Sequence, residues 1–209
     1  MTRYGFSVNL DACCDHRGCM TACMRKNDSF PGAHFIETYT MMDVSGNLES
    51  PGTYFIPIMC QHCDNPSCVG ACPHGVLVKR DDGLVVYGAT DACVQCEGKP
   101  CAAACPYDAI EVDSRTGRIG KCDGCADIVD AGGVPECVPN CWLGTIQFGD
   151  LDDPASVPSQ MIAQYGPNAH RLSPETGNGP GVHYLLTRRP WRDRENLYSP
   201  AWHDPDVQE

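Results

Sequence analysis

Apolar positions along this chain fall in short runs, and most of those runs lie beside a cysteine. Val76-Leu77-Val78 and Leu84-Val85-Val86-Tyr87 flank the polar stretch Lys79-Arg80-Asp81-Asp82-Gly83, which predicts two short strands joined by a turn. Ile110-Glu111-Val112 and Arg118-Ile119 flank Asp113-Ser114-Arg115-Thr116-Gly117 and predict an equivalent hairpin. Both hairpins belong to an internal repeat, residues 55–83 and 88–118, in which Cys72-Pro73-His74-Gly75-Val76-Leu77 matches Cys105-Pro106-Tyr107-Asp108-Ala109-Ile110. The proline after each of these cysteines stops a helix from running on and reverses the course of the backbone. Residues 24–54 read as an insertion, with Met41-Met42 as core filling. Periodicity fades in residues 149–209, where apolar islands remain at Val182-His183-Tyr184-Leu185-Leu186 and Pro190-Trp191. Two readings of that segment stand: disorder, weighed for residues 150–181, or an extended tail docked on a partner through Tyr184, Trp191, Tyr198 and Trp202.

Sixteen cysteines fall into four groups of four. Cys60-x2-Cys63-x4-Cys68-x3-Cys72-Pro73 is repeated as Cys93-x2-Cys96-x4-Cys101-x3-Cys105-Pro106. A split version, Cys122-x2-Cys125 with Cys137-x3-Cys141, follows, and Cys13, Cys14, Cys19 and Cys23 open the chain. Three close cysteines and a fourth before a proline form the ferredoxin grammar for iron–sulfur clusters, in which the fourth cysteine ligates the other cluster of a pair. Four [4Fe–4S] clusters are the expected count. By that rule Cys60, Cys63, Cys68 and Cys105 hold one, and Cys72, Cys93, Cys96 and Cys101 another. Cys23, Cys122, Cys125 and Cys137 hold a third, and Cys141 completes the cluster begun by the first motif. The expected fold is α+β and loop-rich. Two ferredoxin-like modules are nested, residues 55–118 inside residues 1–54 plus 119–148, with residues 149–209 as the tail.

The first motif is irregular. A plain Cys-x2-Cys-x2-Cys run places its second cysteine at position 16, which is His16. Cys14 instead leaves four residues before Cys19, the x4 spacing of the second and third motifs. Counting favours Cys14, since four cubanes need sixteen thiolates. Register favours His16, because adjacent side chains diverge in extended backbone. The first set is therefore Cys13, Cys19 and Cys141 with either Cys14 or His16.

Composition removes several rivals. With 21 Gly, 17 Pro and 5 Phe, the chain is short of conventional core, so metal binding and folding are expected to be coupled. A net charge of −12, made more negative by thiolate-bound clusters, excludes a nucleic-acid partner, which calls for a basic stripe. No run of about 18 apolar residues is present, so no membrane span is expected. The opening Met1-Thr2-Arg3-Tyr4-Gly5-Phe6 lacks a signal-peptide pattern, which places the protein in the cytoplasm or has it exported with a signal-bearing partner. A secreted disulfide scaffold does not explain repeated Cys-x2-Cys pairs, whose sulfurs point to a shared centre. Structural zinc explains the pairs but not the recurring x3-Cys-Pro.

With these motifs laid out, the chain resembles the iron–sulfur (beta) subunits of molybdopterin oxidoreductases of the dimethyl sulfoxide reductase family. The resemblance covers residues 6–148 and rests on the four motifs in order, the last split as Lys121-Cys122-Asp123-Gly124-Cys125 and Cys137-Val138-Pro139-Asn140-Cys141. Gln61-His62-Cys63-Asp64-Asn65-Pro66, Ala104-Cys105-Pro106-Tyr107 and Ala22-Cys23-Met24-Arg25-Lys26-Asn27 add to it, and Val182-His183-Tyr184-Leu185 resembles a stretch many members carry. The departure lies at Cys14-Asp15-His16. The resemblance implies an electron-transfer subunit without catalysis of its own. A large molybdopterin-bearing subunit does the chemistry, and an external donor or acceptor completes the path, either a soluble carrier or the quinone pool through a membrane anchor subunit. The alternative is a free polyferredoxin serving several enzymes. Lys121, Arg25 and Lys26 flank ligands, and read equally as potential-raising charges or as solvated surface.

Overall fold

The computed structural model describes residues 2–41, 52–193 and, as backbone, 197–198. It is a mixed α/β fold with short helices and small sheets. The chain opens on β1 (Tyr4–Asn9), then α1 (Gly18–Asn27) and a hairpin of β2 (Ile36–Met41) with β3 (Tyr54–Met59). In the repeat, α2 (Ser67–Gly70) precedes the hairpin β4 (Leu77–Lys79) and β5 (Val85–Tyr87). Its counterpart, α3 (Pro100–Ala103), precedes β6 (Glu111–Val112) and β7 (Ile119–Gly120). After α4 (Ala126–Asp130) come β8 (Ile146–Asp150), α5 (Val157–Tyr165), β9 (Ala169–His170), β10 (Val182–Leu185) and β11 (Leu197–Tyr198).

Both predicted hairpins form, within a residue or two of their expected limits. Their turns hold because Lys79 Nζ donates to the Gly83 carbonyl at 2.7 Å in the first, and Asp113 accepts from Arg115 and Thr116 in the second. The two halves of the repeat touch where Ser67 Oγ donates to the Ala104 carbonyl at 2.6 Å.

Residues 150–181, weighed as disordered, are ordered and pack with residues 182–193 on the chain's own surface. The largest sheet runs β8-β1-β10-β9, with β10 parallel to β1 and β8 antiparallel to it. Phe6 and Val8 of β1, and Val182 and Tyr184 of β10, are fully buried. A strand buried on both faces reads as a brief apolar island, not as an alternation, which is why residues 182–186 carried no strand signal. The aromatics assigned to docking are used internally: Tyr184 is fully buried, and Trp191 stacks on His170 with centroids 4.6 Å apart. Trp202, Met42 and the Tyr198 side chain lie outside the described residues, whereas Met41 is buried at the end of β2. The insertion at 24–54 contributes the β2–β3 hairpin. Pro57 is tolerated in β3 because that strand is an edge of the sheet ordered β11-β2-β3.

Residues 178–181 also clamp the loop after β3. Asp64 N–H donates to Gly179 O, Asn65 N–H to Asn178 O, and Gly181 N–H to Gln61 O. Beneath them the Tyr184 hydroxyl donates to Pro57 O at 3.2 Å and accepts from Gln61 Nε2 at 3.1 Å. Tyr184→Phe leaves both partners buried and short of one bond each, an expected loss of about 1–3 kcal/mol readable as a lower denaturant midpoint at unchanged slope.

Candidate metal centre

Short helices position many of the cysteines. In α1, Cys19 and Cys23 lie one helical turn apart on the buried face with Ala22, so the x3 spacing aims neighbouring thiols at two different places along one edge. The turn entering α1 needs left-handed backbone at Asp15 and Arg17, with φ of 55° and 57°. Arg17 in turn pairs with the Asp15 carboxylate at 3.0 Å.

The thiols converge in groups, visible in what raises their pKa values. Burial pushes Cys63 up to about 12, helped by Cys60, Cys105 and Cys68. Burial likewise raises Cys93 and Cys101, each with Cys72 as the nearest charged contributor, and Cys96 adds to Cys93. Cys122 is held well above its usual value by burial and then by Cys23, Cys60 and Cys137, and Cys137 by burial, Cys23 and Cys125. Burial with Cys13 and Cys141 takes Cys19 to about 12, and burial with Cys141, Asp15 and Cys14 takes Cys13 to about 11. All four members of one group, Cys60, Cys63, Cys68 and Cys105, line a single hollow.

Among the described residues no three His, Cys, Asp or Glu side chains close on one ion-sized point.

Two cysteines run the other way. Burial raises Cys141, but the Thr145 hydroxyl at 3.0 Å, His16, and the backbone N–H groups of Thr145 and Ile146 outweigh it and hold the thiol at about 7. At Cys72 burial is outweighed by the backbone N–H groups of Leu77, His74, Val76 and Gly75. Both sulfurs accept the same bond from the residue four positions on, Val76 N–H to Cys72 Sγ and Thr145 N–H to Cys141 Sγ, each at 3.3 Å. Further donors reach sulfur from Asn27 Nδ2 to Cys23 and from Gly124 N–H to Cys122.

At the irregular first motif, His16 Nδ1 accepts from Gly18 N–H at 3.1 Å and its ring stacks on Trp142. Cys14 is exposed. The flanking cations separate clearly. Lys121 is fully buried, Arg25 has a side chain 76% exposed, and Lys26 pairs with Asp127 at 3.1 Å. Sequence reasoning passed over His62 and Thr145 as contributors, because what they touch is set by chain crossings far from the motifs or by turn geometry.

Residues 52–151 match the family model described as a 4Fe-4S dicluster domain. The B subunit of tetrathionate reductase from Salmonella typhimurium is 36% identical over 185 residues, covering 88% of this chain and 72% of that protein. This chain therefore belongs to the iron–sulfur subunits of the dimethyl sulfoxide reductase family of molybdopterin oxidoreductases. Other members of this electron-transport family that it resembles are the B subunits of anaerobic dimethyl sulfoxide reductase from Escherichia coli and of sulfite dehydrogenase from Allochromatium vinosum. The first is 33% identical over 160 residues, covering 73% of this chain and 76% of that protein. The second is 33% identical over 209 residues, covering 90% and 85%.

The thiol groups of this iron–sulfur subunit carry a test of their own. In the metal-free chain at pH 8, Cys141 is mostly thiolate while Cys19 keeps its proton, since thiolate forms only as pH rises through each group's pKa. Brief alkylation followed by mass mapping is expected to label Cys141 well ahead of Cys19, and Thr145→Val to slow the Cys141 reaction.

Proposed function

We propose that this chain carries electrons one at a time between a molybdopterin-bearing catalytic subunit and an external donor or acceptor, through four [4Fe–4S] clusters. The observation that carries the reading is the hollow walled by Cys60, Cys63, Cys68 and Cys105: two sulfur-bearing motifs of the repeat meet around one space. The other sets in this reading are Cys72, Cys93, Cys96 and Cys101, then Cys23, Cys122, Cys125 and Cys137, and the first-motif set with Cys141. The nested arrangement, residues 55–118 within 1–54 plus 119–148, follows from that pairing.

When bound, a [4Fe–4S] core accepts and returns a single electron at a potential that its surroundings place within about −700 to +450 mV. The protein's own part is to bury the thiolates, to donate hydrogen bonds to them, and to hold the geometry constant between oxidation states. Val76, Thr145, Gly124 and Asn27 supply such donors, and each favours the state with more negative charge on sulfur. With every site filled by four protein ligands no iron is left open to a substrate, so the chemistry belongs to the partner. The relatives are named as B components of reductases and a dehydrogenase, which supports a place in a complex over a free polyferredoxin. A tail reserved for docking no longer contributes to that choice, since residues 150–193 pack on this chain. Among the described residues no helix is long and apolar enough to cross a membrane. A membrane anchor, where the complex has one, is in this reading a separate polypeptide.

For the first set we favour Cys14 as the fourth ligand. His16 Nδ1 is engaged by the Gly18 N–H and its ring is stacked on Trp142, while the sixteen cysteines supply four thiolates to each of four clusters without it.

Anaerobically purified protein is expected to hold near sixteen iron and sixteen acid-labile sulfide per chain, one of each per cysteine. Zinc without sulfide would sink the reading. Cys14→Ser is expected to lose about a quarter of the iron or leave a three-iron cluster, with His16→Ala retaining the full content. The reverse pattern, iron lost with His16→Ala and kept with Cys14→Ser, would make the histidine the ligand.

A further inference from the structure

Two side chains cross between neighbouring cysteine groups in opposite directions. Lys121 precedes Cys122 in sequence, yet its ammonium reaches 3.6 Å from Cys60 Sγ in the other group. His62 lies between Cys60 and Cys63, yet its Nε2 is 3.7 Å from Cys122 Sγ. Both are anchored on one residue of β5: Lys121 Nζ donates to the Val85 carbonyl, and the Val85 N–H donates to His62 Nδ1 at 3.0 Å. That acceptor role leaves the imidazole proton on Nε2, facing the Cys122 sulfur.

The environment gives Lys121 a particular electrostatic task. Its side chain is fully buried, and a second bond, 2.7 Å to the Cys122 carbonyl, fixes it further. No Asp or Glu among the described residues forms an ion pair with it. A buried ammonium needs a counter-charge: the Cys60 sulfur lies within hydrogen-bond reach of it, and the thiol of Cys122, whose carbonyl it also holds, feels its charge. His62 is 2% exposed and stacks on Phe6 of β1 at 5.9 Å, so its ring cannot swing away without opening the main sheet.

The geometry points to Lys121 and His62 as positioning residues that set the potentials of the Cys60/Cys63/Cys68/Cys105 and Cys23/Cys122/Cys125/Cys137 sets together. Lys121 acts on both sets through its fixed charge, and His62 on the second through one N–H···S bond. A fixed cation between two sites stabilises an added electron at either, so both potentials rise and the step between them stays small. One electron leaves one set as it enters the other, and neither side chain is oxidised, reduced or deprotonated. The inference rests on the proposed cluster content, which the iron and sulfide count of the wild-type protein tests by itself.

The experiment is an EPR-monitored redox titration of the iron-loaded full chain, wild type against Lys121→Met and His62→Phe, with iron counted in each. Lys121→Met is expected to lower two of the four midpoints, each by at least a tenfold change in the reduction equilibrium, 59 mV for a one-electron couple. His62→Phe, which keeps an aromatic ring on Phe6, is expected to lower one midpoint, and that one among the same two. No movement, or all four midpoints moving together, overturns the inference with the cluster reading intact. Should Lys121→Met lose iron, His62→Phe decides alone: one lowered midpoint supports the inference, and any other pattern overturns it.

Discussion

Burying sulfur in groups is the constraint on which this fold depends. A thiol pressed against other thiols in a low-dielectric interior resists ionisation, because each thiolate repels the next and none is solvated. Most of these cysteines are driven up in that way, to about 11 or 12 at Cys13, Cys19, Cys23, Cys63 and Cys68. Such a group is tolerable as protonated thiols or around a cationic core. In the proposed reading the hollow at Cys60, Cys63, Cys68 and Cys105 takes the second form, and filling it would release the protons its thiols hold.

The rest of the molecule serves to hold those groups still. A conventional apolar core does exist, centred on Phe6, Val8, Leu10, Ile56, Ile146 and Val182, all fully buried. Cys19, Cys23, Cys60, Cys63, Cys122, Cys137 and Cys141 are buried in the same cluster. Phe6 touches His62, and residues 178–181 tie down the loop carrying Gln61 and Asp64. Residues that follow the last cysteine thus brace the loop on both sides of Cys63, the second cysteine of another motif.

Charge within the fold is placed unevenly. The surplus of acid lies mostly where water screens it, in pairs such as Arg3 with Asp152 or Arg80 with Asp130, and such exposed pairs add little to stability. Lys121 is the opposite case. Stripped of water and without a carboxylate partner among the described residues, it is held by backbone carbonyls and turned toward sulfur. A subunit whose task is to pass single electrons has use for a charge that does not relax between one state and the next.

Sequence alone determined what depends on near neighbours in the chain. The x2, x4 and x3 spacings specify thiols that meet through a turn or a helical step, and the β4–β5 and β6–β7 hairpins close over short polar loops. The family, too, was legible in the order of the four motifs. Tertiary structure decided what depends on crossings between distant segments. β1 pairs in parallel with β10, Phe6 with Val182, and no local signal records a partner so far along the sequence. The same holds for Lys121 and His62. Each stands beside a cysteine of its own motif and touches the sulfur of another, because β5 carries Val85 between them and offers its carbonyl to one and its N–H to the other.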